Sequence, residues 1–220
     1  MERIFAIGDI HGCYKTFKKL LLDKIKINKS DTIYCVGDYI DRGEDSKGVI
    51  DFILDLRSQE YKIHTLRGNH EQMLLDSISD EFETDTWLRN GGSDTLRSFG
   101  IQSLHELQAT YLFFFKETKY YFKIKNYIIV HAGLNFNREN ILADKSAMLW
   151  ARYFDPIQPA LKGQVLIHGH TPKPLDYILN QKGNCLNIDG GCVYTKIKNL
   201  GKLVAYDLNE KKYIVQDNCE

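Results

Sequence analysis

The stretch Thr32-Ile33-Tyr34-Cys35-Val36-Gly37-Asp38-Tyr39-Ile40-Asp41-Arg42-Gly43 passes from a β-favouring run straight into a charged loop bracketed by glycines. The same switch occurs twice more, from Ile4–Ile7 into Gly8-Asp9-Ile10-His11-Gly12 and from Ile63–Leu66 into Gly68-Asn69-His70-Glu71. Short apolar runs closed by glycine mark strands that end in loops. Between the first two runs, Cys13, Phe17, Leu20 and Leu21 recur at helical spacing, with Lys15, Lys18 and Lys19 opposite. Between the next two, Asp45 or Ser46 can cap a helix whose Val49, Ile50, Ile53 and Leu56 face inward, with Asp51 and Asp55 outward. Strand, helix and strand in alternation predict βαβ units with parallel strands.

The second half is richer in strands. Tyr120–Ile124 and Tyr127–Val130 flank Lys125-Asn126 and predict a hairpin, although its turn lacks the favoured glycine. Gln164–His168, Asn184–Ile188, Lys202–Asp207 and Lys212–Val215 are further short β-rich runs separated by Gly, Asn or Pro. The expected architecture is α/β, with two packed sheets flanked by helices. All four prolines lie between Pro156 and Pro174, where loops are expected. From about Gln72 to Thr118 strand signal fades, which predicts a helical insert carrying Trp87, Gly91-Gly92 and the aromatic cluster Tyr111–Phe115. Its position between two polar loops suits a wall or cap over a site, or plain core packing.

With 220 residues and 43% hydrophobic content, the chain suits one substantial core, and a single domain spanning residues 1–220 is expected. Lysine plus arginine and aspartate plus glutamate number 29 each, so no net field draws the chain towards nucleic acid or an anionic membrane. Apolar runs such as Tyr111–Phe115 fall far short of the ~20 residues of a membrane-spanning helix. Met1-Glu2-Arg3 leads directly into strand-like sequence, so mature protein is expected from the start. Five scattered cysteines, never spaced Cys-x-x-Cys, suggest reduced thiols in the cytoplasm.

Five polar segments stand at strand ends: the three quoted above, His131-Ala132-Gly133, and His168-Gly169-His170. Loops at the carboxyl ends of parallel strands converge, so ligands distant in sequence can meet. Asp9 and His11 are one residue apart, a spacing that aims both side chains the same way. Carboxylate, imidazole and amide donors without thiolate suit manganese, iron or zinc better than calcium or copper. Asp38 has two oxygens with which to bridge two cations, and a water shared by them would ionise far more readily than bulk water. Arg42 and Arg67 flank the ligand loops, where guanidinium groups can hold phosphate oxygens. His70 is placed to protonate a leaving alkoxide, with Asp41 to orient its imidazole. A lone Asp-x-His pair usually marks a solvated turn. An ordered set of ligand-bearing loops calls for a different reading. His168 has a supporting role beside His170, a place as an alternative ligand, or, as the favoured reading, a place in the core, and His64 and His105 are assigned to strand packing and a helix surface.

Gly-Asp-x-His-Gly, Gly-Asp-x-x-Asp-Arg-Gly, Gly-Asn-His-Glu, His-Ala-Gly and Gly-His-Thr, in this order, resemble the phosphoprotein phosphatase family. Trp87-x-x-Asn90-Gly91-Gly92 and Trp150-x-Arg152 resemble its short bacterial and phage members. The resemblance covers most of the chain and implies a calcineurin-like metallophosphoesterase β-sandwich. It implies two divalent cations, commonly manganese: Asp9, His11 and Asp38 at one, and Asp38, Asn69, His131 and His170 at the other. It further implies Arg42, Arg67, Arg152 and Asn69 on the phosphate, His70 as general acid paired with Asp41, and in-line hydrolysis of a phosphomonoester by a metal-bridging hydroxide. The implied substrate is a phosphoserine or phosphothreonine protein. Similar short members act on dinucleoside polyphosphates or other nucleotides, which makes a nucleotide the alternative substrate, and a phosphate-binding scaffold is the alternative of another class. His168 stands where these enzymes more often carry an apolar residue. The loop Asp189-Gly190-Gly191-Cys192 is shorter than in eukaryotic members, which leaves substrate recognition open.

Overall fold

The computed structural model describes residues 2–154 and 158–220. Along the chain, β1 (Ile4–Ile7) leads to α1 (Tyr14–Lys19), then β2 (Thr32–Cys35), α2 (Ser46–Ser58) and β3 (Lys62–Thr65). Helices α3 (Asn69–Ser79), α4 (Glu81–Trp87), α5 (Ser93–Phe99) and α6 (Ala109–Glu117) follow. The second half holds β4 (Tyr121–Ile124), β5 (Tyr127–Val130), α7 (Lys145–Trp150), α8 (Gln158–Leu161), β6 (Val165–His168), α9 (Leu175–Leu179), β7 (Cys185–Asn187), β8 (Lys202–Asp207) and β9 (Lys212–Asp217).

The expected βαβ units are present: β1, β2 and β3 pair in parallel, with Ile7, Cys35 and Thr65 level at their carboxyl ends. α1 widens into a further turn over Leu20–Ile25 and stops at Lys26, whose left-handed φ of 54° ends the helix. Asp45 is the cap of α2 and accepts the Gly48 N–H at 2.8 Å. β8 and β9 extend this sheet on the far side of β1 as antiparallel neighbours, giving the order β3-β2-β1-β8-β9. The second sheet runs β4-β5-β6-β7, with the hairpin β4–β5 antiparallel and β5, β6 and β7 parallel. Lys125 makes the hairpin turn without glycine by taking a φ of 51°.

Three apolar layers hold these parts. Ile4, Ala6, Tyr34, Val36 and Val204 of one sheet meet Ile129, Ile167 and Leu186 of the other, forming the sandwich interior. Phe5, Ile7, Ile33, Cys35 and Ile63 point the opposite way, onto Phe17, Leu20, Val49, Ile53 and Leu56 of the helical layer. The outer face of the second sheet, Ile128, Val130 and Leu166, is covered by Met148 and Leu161. Strands buried on both faces explain the unbroken apolar runs, since each buried aliphatic side chain contributes about 1.5–3 kcal/mol. The result is the expected mixed α/β sandwich flanked by helices.

Details of the expectation shift. Helix begins at Asn69, ahead of the expected boundary near Gln72, so Asn69 and His70 occupy a helical first turn. Tyr111, Phe114 and Phe115 join the core, whereas Phe113 is 62% exposed. Pro159 lies in the short helix α8 and not in a loop, and Pro156 lies outside the described residues. His64 stacks on Tyr34 at 4.8 Å, as strand packing requires, and His105 is exposed. Among the described residues no helix is long and apolar enough to cross a membrane.

Candidate metal centre

The loops after β1, β2, β3, β5, β6 and β7 meet at one edge of the sandwich. The first two are zipped together by backbone: Ile10 and His11 both donate to the Asp38 carbonyl, at 3.1 and 2.8 Å, and Gly12 donates to Tyr39 at 2.8 Å. His11, Asp38, Asp41, Arg42 and His170 all take positive φ, between 48° and 70°. Such strain in non-glycine residues gathers where surrounding structure over-determines the backbone, which is common at functional sites.

Two groups of buried ligand atoms result, His11, Asp38 and His70 in one and Asp38, His131 and His170 in the other, with atoms in each lying within 4.8 Å of one another. Asp38 is common to both, and its Oδ2 lies 3.5 Å from each Nε2 of His11 and His131. The Nδ1 atoms of His11 and His131 face backbone carbonyls of Ile40 and Val36, at 2.9 and 3.1 Å. A carbonyl there requires Nδ1–H, so each Nε2 lone pair turns towards the centre. Asn69 Oδ1 completes the second group, 2.9 Å from His131 Nε2 and 2.8 Å from His170 Nδ1. Asp9 is in neither group. Its Oδ2 accepts the His170 N–H at 3.0 Å, while its Oδ1 is buried without a hydrogen-bond partner, as is His170 Nε2. A buried carboxylate oxygen without a partner, beside neutral imidazoles and a shared carboxylate, belongs to the donor set a divalent cation needs, so the residues fit a metal centre.

Electrostatics divide the imidazoles. Burial depresses His11 and His170 to about 3 and also lowers His131, so all three are neutral and free to ligate. Burial acts on His70 in the same direction, yet the Asp38 charge and the Asp41 hydrogen bond outweigh it and raise His70 above its ordinary value. Its Nδ1 lies 2.6 Å from Asp41 Oδ2, and its Nε2 lies 4.0 Å from Asp38 Oδ2. Burial opposes ionisation of Asp38, but His131, His70, His11 and His170 together hold its carboxyl below the ordinary range. Burial, then the Asp189 and Asp38 charges, push Asp9 well up. His70 is thus shifted towards its protonated form while burial shifts the other three towards the neutral one, an arrangement that separates a proton donor from ligands.

The arginines part company. Arg42 places Nη1 2.9 Å from His11 Nε2, at the centre. Arg67, expected on phosphate, instead directs its guanidinium to Thr118 Oγ1, Gln72 Oε1 and the carbonyls of Phe115 and Lys116, at 3.0 to 3.3 Å. The physical reason is that the last carbonyls of α6 lack helical partners and a cation suits that end. Arg152 is exposed near His170, whose pKa its charge helps to lower, and it lines a cavity of about 330 Å³ with His168, Lys173 and Tyr177. His168 stands outside both ligand groups, with Nδ1 3.2 Å from the Gly169 carbonyl and its ring edge-on to Phe154.

Four contributors escaped the sequence reading. Glu71 accepts the backbone N–H groups of Asp38, Tyr39 and Gly68, each at 2.8 Å. Asp189 is buried close enough to raise Asp9. Trp87 Nε1 donates to Asp41 Oδ2 at 3.0 Å, and Thr95 Oγ1 donates to Asp41 Oδ1 at 2.6 Å. For Glu71 and Trp87 the signal was their place inside the quoted motifs. Thr95 carried none.

A family model described as calcineurin-like phosphoesterase matches residues 2–207. Serine/threonine-protein phosphatase 1 of Salmonella typhimurium is 37% identical over 112 residues, 51% of this chain and 48% of that protein, so the chain spans about half of that relative's length. The asymmetrical bis(5'-nucleosyl)-tetraphosphatase PrpE of Oceanobacillus iheyensis is 26% identical over 243 aligned residues, covering 96% of this chain and 91% of that one. In fold, the chain is similar to the cold-active protein-tyrosine phosphatase of a psychrophilic Shewanella, with a TM-score of 0.67, 16% identity, and coverage of 99% and 81%. A carboxylate shared between two imidazole groups, on this sandwich and under this family match, places the chain in the calcineurin-like phosphoesterase family of metal-dependent hydrolases.

Proposed function

We propose that the chain is a phosphomonoesterase of the serine/threonine-protein phosphatase type, acting in the cytoplasm on phosphoproteins or phosphopeptides. The observation that carries this reading is the 2.6 Å hydrogen bond between His70 and Asp41, beside the doubly shared Asp38. Asp9, His11, Asp38, Asn69, His131 and His170 would hold two divalent ions, manganese first and iron or zinc next. Bound there, the ions would supply Lewis acidity towards phosphate and water. Arg42 holds phosphate oxygens, with Asn69 and Arg152 as further contacts, and orients phosphorus for in-line attack by water. As the phosphorus–oxygen ester bond breaks, His70 gives its Nε2 proton to the leaving alkoxide and Asp41 steadies the imidazole. No phosphoenzyme forms. Five free cysteines fit a reducing compartment.

A second reading keeps the chemistry and changes the substrate to a dinucleoside polyphosphate. It is favoured by the relative PrpE, which is matched over 91% of its length, and by Lys173 and Tyr177 beside Arg152. A non-catalytic phosphate-binding scaffold is disfavoured because His70 and Asp41 keep the geometry of proton transfer.

The test gives manganese-loaded protein a phosphoserine peptide, diadenosine tetraphosphate and an aryl phosphate, alongside Asp38→Asn and His70→Asn. Preference for the peptide, abolished in both variants, is expected. Preference for the dinucleotide would install the second reading, and inactivity with manganese, iron and zinc alike would favour the scaffold.

A further inference from the structure

Trp87 ends α4 fully buried, and its indole N–H forks the Asp41 carboxylate, 3.0 Å from Oδ2 and 3.2 Å from Oδ1. Thr95, on α5, donates its hydroxyl to Asp41 Oδ1 at 2.6 Å and accepts the Asp41 backbone N–H at 2.9 Å. Among the described residues the remaining donor to this carboxylate is His70 itself. Asp41 is completely buried at a φ of 69°, so neither water nor relaxed backbone geometry sets its orientation.

The rest of the Trp87-x-x-Asn90-Gly91-Gly92 motif serves the same contact. A Cβ on Gly92 would come 2.4 Å from the Trp87 ring, so only glycine lets the chain fold back over the indole. Gly91, at φ 109°, accepts the Arg42 N–H at 3.4 Å, and a Cβ there would come 2.7 Å from that nitrogen. The insert thus presses on Arg42 and grips Asp41, neighbours in one loop. Packing alone would be met by phenylalanine at position 87, whereas a buried indole N–H aimed between two carboxylate oxygens fixes a direction.

We propose that Trp87 and Thr95 are positioning residues for proton transfer to the leaving group, holding Asp41 so that His70 Nε2 points at the departing oxygen. This rests on the assignment of His70 as the proton donor. The helical insert is then part of the acid–base apparatus, whether or not it also covers the site.

Leaving-group dependence separates positioning from packing, because a general acid matters most when the departing oxygen is basic. Rates are compared for phenyl phosphate and the activated p-nitrophenyl phosphate in the full chain with manganese. Trp87→Phe and Thr95→Val should each lose about 10- to 100-fold in kcat/KM on phenyl phosphate and under about threefold on p-nitrophenyl phosphate. Thr95→Ser should restore most of the Thr95→Val loss. Adding Trp87→Phe to His70→Asn should produce little further loss, since the acid it positions is gone. Manganese affinity by titration calorimetry should stay within about threefold of the parent, because the metal ligands and their direct supports are untouched. Equal losses on both esters, full additivity with His70→Asn, or a matching fall in manganese affinity would overturn the proposal. If Trp87→Phe does not fold, the Thr95→Val and Thr95→Ser pair decides by the same criteria. Should His70→Asn itself show no leaving-group selectivity, the assignment of His70 as acid fails first, a result visible without any insert variant.

Discussion

Gly169 stands directly against Asp9: a Cβ at position 169 would lie 1.9 Å from Asp9 Oδ1 and 3.1 Å from Val36 Cγ2. That oxygen is a buried acceptor left without a hydrogen-bond partner, so the two strand-end loops close on each other where a cation is expected. Gly169→Ala should push the Asp9 carboxylate aside, with its hydrogen bond to the His170 N–H. Manganese affinity by titration calorimetry is expected to fall about 10- to 100-fold, as for residues that orient ligands, with circular dichroism unchanged. Unaltered affinity would remove Asp9 from the ligand set.

Glu71 holds the Asp38 turn by accepting three backbone N–H groups, and burial with the Asp38 charge pushes its carboxyl up to about 8. Glu71→Gln exchanges an acceptor oxygen for an NH₂ facing N–H donors. Turned so that its oxygen keeps the Asp38 and Gly68 N–H groups, the amide strands the Tyr39 N–H, and a stranded buried donor costs about 1–3 kcal/mol, so destabilisation of about that size is expected in urea unfolding. A shift below about 1 kcal/mol would mean that water or a rotated amide satisfies the turn.

Arg42 and Arg67 should behave oppositely. Losing the Arg42 guanidinium removes charge-assisted contacts worth about 1.5–3 kcal/mol, so Arg42→Ala should cut kcat/KM about 10- to 100-fold with little change in Tm. Arg67→Ala strips donors from Thr118 and the end of α6, and should lower Tm while leaving kcat/KM within about threefold. An Arg67→Ala enzyme that melts normally but turns over poorly would return Arg67 to the phosphate.

Asp31 gives a pH signature distant from the metal centre. Burial would raise its carboxyl, but hydrogen bonds from Arg3 and the Asn28 N–H outweigh that and hold it below 3.8. A folded pKa below the unfolded one gives stability that is complete above the unfolded value and lost as pH falls through the folded value. Melting curves of the parent and Asp31→Asn should therefore differ at pH 5 to 7 and converge as pH falls below the depressed folded pKa. A difference that widens on acidification would contradict the pairing.

Much of this molecule was legible in order of appearance. The apolar runs at Ile4 and Thr32 became parallel strands buried on both faces, the run at Ile63 pairs beside them as an edge strand with Lys62 exposed, and the glycine-bracketed loops after them did supply Asp38, His11, Asn69 and His70. Asp45 was legible as a cap because capping is a contact within one turn. Placement of β8 beside β1, and of Lys125 at a left-handed turn, was not legible, since alternation reports a strand's faces and not its neighbour.

Arg67 shows the limit from the other side. Its motif neighbours are Gly68 and Asn69, yet its guanidinium answers carbonyls of Phe115 and Lys116, some fifty positions along. What the sequence determined by itself was chemistry at short range: which residue types stand at strand ends, which face of each helix is apolar, and that the donors are oxygen and imidazole. What only tertiary structure decided was convergence: that Asp38 is shared by two histidine groups, that Trp87 and Thr95 return to Asp41, and that one arginine faces the centre while another holds a helix end. Local preference depends on adjacent side chains, whereas these meetings depend on loop closure and on how buried polar groups find partners across the whole chain.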